Sequence, residues 1–272
     1  MISSNFLNSV SEIPILAYHK VSPHAEFGLT TVNPQIFHDH IDYLHQNGYT
    51  TLTFHDLMQP NLTMPAKPII ITFDDAYQCI YEYALPLMNK YGFKSVIFVV
   101  SGFIGRDNSW EAFGIQRGYQ HLSHPELIEL HRQGHEIGSH TVTHPYLPVL
   151  TTAQANLELG DSKSRLEDTV GQTVISFCYP YGKSSPRLEQ LLTQNEYKFA
   201  TINKSILPDK KKNLLRLMRS CIYTTDTHTQ FAAKIEKFDR LNIAEWVIQR
   251  GAYTGILRKS IRHILSSNKD LF

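Results

Sequence analysis

The chain has 272 residues, with 26 Lys and Arg against 25 Asp and Glu and a formal net charge of +1. That balance makes no basic field of the kind nucleic acid selects, so no nucleic-acid partner is expected. With 42% hydrophobic and 19% charged residues, the chain should bury one large α/β core, and a single domain over residues 1–272 is expected. The first ten residues lack a basic stretch followed by an apolar run, and no apolar run nears the ~20 residues a bilayer span needs. A cytoplasmic protein is the expectation. Cys79, Cys178 and Cys221 are odd in number and form no C-x-x-C pair, so reduced, buried thiols are expected.

In chain order, Ile13 to His19 opens with a short buried strand. Asn33-Pro34 caps a helix whose apolar stripe is Phe37, Ile41 and Leu44, with Gly48 as its stop. Pro68 to Phe73 is a second strand, running into Asp74-Asp75. Tyr77 to Tyr91 reads as one helix, and Ser95 to Val100 as a third strand. Ser123-His-Pro-Glu126 is a capping box that opens a helix ending near Gly134. Glu136 to Ser139 is a short strand leading into His140. Thr151 to Val170 is a long helix, and Ile175 to Cys178 a strand closed by Tyr179-Pro-Tyr-Gly182. A helix starts at Ser185-Pro186. Strands at 199–202 and 215–222 and a helix at 229–238 follow. This alternation predicts a mainly parallel sheet with helices outside it.

In such folds the chemistry gathers where strands end. His19, Asp74-Asp75, His140 and Tyr179 to Gly182 all follow predicted strands. His140-Thr-Val-Thr-His144 places two imidazoles four residues apart, which on a helical turn share one face and can hold one metal. Two surface histidines on a turn would give the same pattern. The zinc-protease glutamate is missing, since position 141 is Thr. Adjacent carboxylates at Asp74-Asp75 repel unless solvated, used as a helix cap or neutralised by a cation. Taken together, Asp75, His140 and His144 form an expected metal triad. Three protein ligands plus an open position is the pattern of catalytic zinc.

Thr72-Phe-Asp-Asp75, His140-Thr-Val-Thr-His144 and Tyr179-Pro-Tyr-Gly182, in this order and spacing, resemble the motifs of the polysaccharide deacetylase family, carbohydrate esterase family 4. The phrases around them also match, and the resemblance runs from about Ile13 to Ile222. It implies an α/β fold, a distorted (β/α) barrel of mainly parallel strands with outer helices. The catalytic core would span about 13–222 and a C-terminal helical extension about 229–272. It further implies metal-dependent hydrolysis of N-acetyl groups on an N-acetylated carbohydrate, with release of acetate. The divalent metal would be Zn2+, with Co2+ or Ni2+ as alternatives. By the resemblance Asp74 is the general base, Asp75 a metal ligand, and the Tyr181 backbone N–H an oxyanion donor.

The family's C-terminal L-x-L-H motif is absent. Circularly permuted members, such as poly-N-acetylglucosamine deacetylases, carry the acid in an N-terminal Y-H, and Leu16-Ala-Tyr-His19 matches. His19 is therefore the implied general acid, with a packing role for His19, or His228 as the acid, left open. The arginine of the family's R-x-P-Y motif is replaced by Cys178, with Arg216 or Arg219 as conceivable substitutes. The D-x-x-W motif has no match, and Ala76 stands where Gly is common. These departures leave a second reading, a sugar-binding domain without turnover; an O-acetyl esterase, whose reaction the same site could perform, is a third. Residues 102–119, with Trp110 and Phe113, are expected to read the sugar or to pack as a lid. Residues 246–265, with Arg258, Lys259 and Arg262 among apolar positions, read either as a helix packed on the barrel or as one touching anionic lipid at the inner membrane face.

Overall fold

The computed structural model describes residues 4–24, 29–108, 118–203 and 212–236. The strands are β1 (Ile15–Tyr18), β2 (Lys20–Val21), β3 (Thr31–Val32), β4 (Thr50–Thr51), β5 (Pro68–Phe73), β6 (Val96–Val99), β7 (Glu136–Ser139), β8 (Ser176–Cys178), β9 (Phe199–Asn203) and β10 (Leu217–Cys221). The helices are α1 (Ser4–Glu12), α2 (Pro34–Gln46), α3 (Phe54–Leu57), α4 (Gln78–Tyr83), α5 (Leu85–Lys90), α6 (His124–Arg132), α7 (Thr152–Val170), α8 (Pro186–Gln194) and α9 (His228–Glu236).

Strands β5 to β10 pair in chain order, all parallel, and β1 slots between β10 and β5. The result is a closed seven-stranded parallel (β/α) barrel with helices around it. Strand β4 adds to the outer edge of β5, and β2 pairs with β3 apart from the barrel. Closure gives every barrel strand a neighbour on both sides, which an open parallel sheet cannot do.

Side-chain alternation sorts the core into two layers. Along β5, Ile69, Ile71 and Phe73 pack outward against the helices, whereas Ile70 belongs to the inner cluster with Ile15, Val96, Phe98, Cys178, Phe199 and Leu217. The same inner cluster takes in Val10 and Ile13 from the α1 end and Phe54 and Leu57 from α3, so these elements plug the N-terminal mouth. The C-terminal mouth is left for polar side chains.

The caps fall where the residue types direct them. Asn33 accepts from the Gln35 N–H, Ser123 and Glu126 form their capping box, and Thr151 pairs with Gln154 at the start of α7. One helix was expected from Tyr77 to Tyr91, but two are present, meeting at Ala84. Pro86 has no N–H to continue the ladder and suits the first turn of a new helix. Helix α1, the β2–β3 pair, β4 and α3 carry no periodic signal long enough to be read in advance. The three cysteines are free and buried, as expected.

Candidate active site

Each strand end delivers one part of the site. The Asp74 N–H bonds to the Tyr18 carbonyl at 2.9 Å, so this residue still follows the β5 path. The backbone then turns sharply: Asp75 has φ 67° and Ala76 φ 57°. A left-handed Ala is strained, as the departure from Gly at this position implies. A strap formed by residues 105–108 against 118–122 holds the turn. Its His121 Nδ1 donates to the Asp75 carbonyl at 2.6 Å, and its Leu122 N–H donates to the Ala76 carbonyl at 2.8 Å.

The His140–His144 segment was expected to bring its imidazoles together on a helical turn. It is instead a loop, with Thr141 at φ 71° and His144 at φ 56°. Helix α7 shapes it. The Glu158 carboxylate accepts from Val142 N (2.8 Å), Thr143 N (2.9 Å) and Thr143 Oγ1 (2.6 Å), and Ser162 Oγ donates to the Thr141 carbonyl at 3.1 Å. Those bonds replace a helix's own ladder. Behind the loop, Gly102 lies so close that an added Cβ would meet the Val142 carbonyl oxygen at 2.5 Å.

Asp75, His140 and His144 converge and are buried. Asp75 Oδ1 lies 3.6 Å from Nε2 of each histidine, and the two Nε2 atoms are 3.2 Å apart. His140 Nδ1 lies 2.7 Å from the Cys178 carbonyl, which can only accept, so Nδ1 carries the proton and Nε2 presents a lone pair. Burial first, with the Arg219 and His19 charges, lowers the His140 pKa to about 4 against the pull of Asp74, which keeps the ring neutral near pH 7. A carboxylate and a neutral imidazole aiming acceptors at one point, beside a second imidazole, form the donor set of a divalent cation.

Asp74, His140 and Cys178 also lie close enough to suggest ligands. Their chemistry argues otherwise. Burial pushes the Cys178 thiol well up, and both Asp74 oxygens are already taken. They accept from Arg219, whose Nη1 and Nη2 reach Oδ1 and Oδ2 at 2.6 and 2.7 Å. Nη1 also donates to Thr72 Oγ1 at 3.0 Å, and Nη2 approaches Cys178 Sγ at 3.1 Å and Asn203 Oδ1 at 3.2 Å. Burial alone would raise the Asp74 carboxyl, but the charge and hydrogen bonds of Arg219 outweigh it and hold the group well below the usual carboxylate range.

The guanidinium missing at Cys178 is thus supplied from β10. Of the two arginines considered, Arg216 pairs instead with Glu189 at 3.4 Å. The pattern that could have singled out Arg219 is its place in Leu217-Met-Arg-Ser-Cys221, where period-two alternation points it inward with Leu217.

His19, just past β1, brings Nε2 to 3.8 Å from Asp74 Oδ2 and is about a quarter exposed, so solvent reaches it. Tyr181 sits at φ 60° in the turn Pro180–Gly182, its ring edge-on to His144 with centroids 4.7 Å apart. The next residue must be Gly: a Cβ at Gly182 would meet the Asn203 N at 2.7 Å, and its φ is 66°. His228 lies elsewhere, exposed at the start of α9 with its ring against Tyr43. Trp110, Phe113 and the 246–265 segment lie outside the described residues, and no helix among the described residues is long and apolar enough to cross a membrane.

Five of the six left-handed non-glycine residues among those described are Asp75, Ala76, Thr141, His144 and Tyr181; Glu196 is the sixth. Strain of about 1 kcal/mol or more per residue concentrates where chemistry is built.

Comparison with known proteins agrees with this architecture. The sequence profile of the family described as "Polysaccharide deacetylase" matches residues 61–200. YxkH of Bacillus subtilis, named for the same family, is 29% identical over 230 residues, covering 83% of this chain and 77% of that protein. The poly-beta-1,6-N-acetyl-D-glucosamine N-deacetylase of Staphylococcus aureus is 24% identical over 163 residues, covering 56% of this chain and 54% of that one. Among solved structures, the Streptococcus pyogenes deacetylase PplD superposes with a TM-score of 0.71 at 24% identity, covering 82% of this chain and 97% of that one. A barrel with these strand-end motifs, matched by the profile over half its length, places the chain in the polysaccharide deacetylase family.

Proposed function

We propose that the protein is a metal-dependent carbohydrate N-deacetylase, hydrolysing N-acetyl groups of an N-acetylated glycan or glycolipid to acetate and a free amino sugar. The observation that carries this reading is the convergence of Asp75, His140 and His144 on one point, next to an Asp74 held ready by Arg219. Zn2+ is the expected ion, and Co2+ or Ni2+ fit the same nitrogen and oxygen donors. Bound there, the ion would act as a Lewis acid on the acetamide carbonyl and lower the pKa of water from ~16 toward ~7.

The chain's own residues do the rest. Asp74 takes the proton of the attacking water. Held below the usual carboxylate range by Arg219, it is ionised near neutral pH, but it keeps a proton only briefly. His19, with Nε2 3.8 Å away, is placed to protonate the departing amine, which leaves poorly without it. The Tyr181 N–H would donate to the oxygen that gains charge. Arg219 positions Asp74 and keeps its charge in place once water is excluded. A sugar-binding domain without turnover was motivated by three departures, the missing arginine at Cys178, the absent D-x-x-W motif and Ala76. Arg219 answers the first of them.

Acetate release tests the reading. Protein stripped with EDTA should be inactive on N-acetylated glucosamine oligomers and regain activity with Zn2+, Co2+ or Ni2+. Activity unaffected by stripping would overturn the metal role, and acetate from O-acetylated substrates alone would make the protein an esterase.

A further inference from the structure

On the flank of the C-terminal mouth, away from the metal cluster, a cavity of about 590 Å³ opens between α6, α7 and the turn after β6. That volume suits a small ligand or one sugar unit and its substituent. Two guanidinium groups, Arg106 and Arg165, line it, and neither has an ion-pair or hydrogen-bond partner for its side chain among the described residues. Ser101 lines it too. This residue is only 7% exposed, and its Oγ has no hydrogen-bond partner. A buried hydroxyl left so is destabilising, and a ligand that bonds to it recovers that loss.

The remaining polar wall offers acceptors. Thr169 Oγ1 donates to the Arg165 carbonyl at 2.8 Å, so it accepts from His124 Nδ1 at 3.1 Å. That makes Nδ1 the protonated nitrogen of His124 and leaves the Nε2 lone pair to accept from a sugar hydroxyl. Ile104 and Ile128 supply apolar surface of the kind that meets the faces of a sugar ring. Among the described residues the only acid in the wall is Asp168, which forms no ion pair with either arginine.

We propose that this cavity is an accessory site for an oxyanion carried on a glycan, either a phosphate or a carboxylate group. Two unpaired guanidiniums give the bidentate recognition that both oxyanions share. Ser101 follows β6 and donates its backbone N–H to the Thr141 carbonyl at 3.0 Å, so the cavity shares a wall with the metal loop. A polymer lying across this mouth reaches both. The choice of a glycan rests on the deacetylase reading; the binding of an oxyanion does not.

Titration calorimetry on the full-length, EDTA-stripped protein at low salt tests it, with glucose 6-phosphate, glucuronate, inorganic phosphate and glucose as probes. Stripping removes competition from the metal centre. At least one acidic sugar should bind saturably with a Kd in the millimolar range or below, more tightly than glucose. The exposed Arg106→Gln and Arg165→Gln changes together should weaken it by about 10-fold or more, and Asp168→Asn should tighten it. The two sugars decide between phosphate and carboxylate as the natural group. No saturable binding of either, or binding unchanged by the double substitution, overturns the site. Inorganic phosphate binding as tightly as both sugars overturns the glycan. The double variant should still release acetate from neutral N-acetylated oligomers, so loss of the deacetylase reading and loss of this one are told apart.

Discussion

Arg219 on β10 and Asp74 at the end of β5 lie on strands separated only by β1, and the guanidinium grips both carboxylate oxygens at 2.6 and 2.7 Å. Both groups are buried, so each needs the other. Arg219→Ala should cost about 3–5 kcal/mol of stability by leaving a buried charge alone. Arg219→Lys keeps the charge without the fork and should lower kcat about 100-fold with metal content unchanged. Adding Cys178→Arg to Arg219→Ala returns a guanidinium from β8 and should restore part of the activity. Denaturation midpoints and acetate release decide it; a double variant no better than Arg219→Ala would show that the position on β10 is itself required.

Base and ligand separate by different measurements. Asp74→Asn should retain stoichiometric metal by elemental analysis and lose most activity. His140→Ala and His144→Ala should lose the metal. Normal turnover in Asp74→Asn would remove this residue as the base.

His19→Gln should depress kcat by about 100-fold or more while metal content and KM change little. Substrates with better leaving groups should suffer less, because they need less proton donation. Equal losses for all leaving groups would count against His19 as the acid.

Glu158→Ala frees Val142 N, Thr143 N and Thr143 Oγ1 from the carboxylate that holds the metal loop. Metal affinity should fall by about 10-fold, measured by competition with a chelating dye, with a small change in thermal stability. Unchanged affinity would mean that the loop keeps its shape without α7.

Glu136 lies on the lumen side of β7 near the plugged mouth. Burial raises its pKa from 4.5 to about 7, against hydrogen bonds from Ser176 and the His55 and Phe54 backbone N–H groups. Its folded pKa exceeds its unfolded value, so the unfolded chain loses the proton first as pH rises. The stability linked to this group is therefore full below about pH 4.5 and is lost as pH climbs to about 7, roughly 3 kcal/mol in all. Glu136→Gln should flatten that part of the stability-versus-pH curve. A slope unchanged by the substitution would assign it to other groups.

Much of this could be read in the sequence. Short strand patterns located β1, β5, β6, β7 and β8, and placement just after three of them singled out Asp74, Asp75, His140 and His19. Two things escaped. The break at Ala84 turns on one proline's missing N–H, too small a signal within a helical pattern. The shape of the His140–His144 loop is imposed by Glu158 and Ser162, which are remote in sequence. Arg219 was named beside Arg216, but the choice between them stayed open because a salt bridge spanning 145 residues leaves no local spacing to recognise. What periodicity cannot reveal is which long-range partner satisfies a buried charge.

The barrel closes through β1, which is wedged between β10 and β5. The first barrel strand off the ribosome must therefore wait for the last before both of its edges are paired. His19 extends from that first strand and Arg219 sits on the last, whereas Asp75, His140 and His144 lie in the stretch between. A nascent chain can gather its proposed metal ligands before it can orient its base. Nascent chains released in succession should then gain ion binding first and hydrolysis last, only when residue 221 has met residue 17.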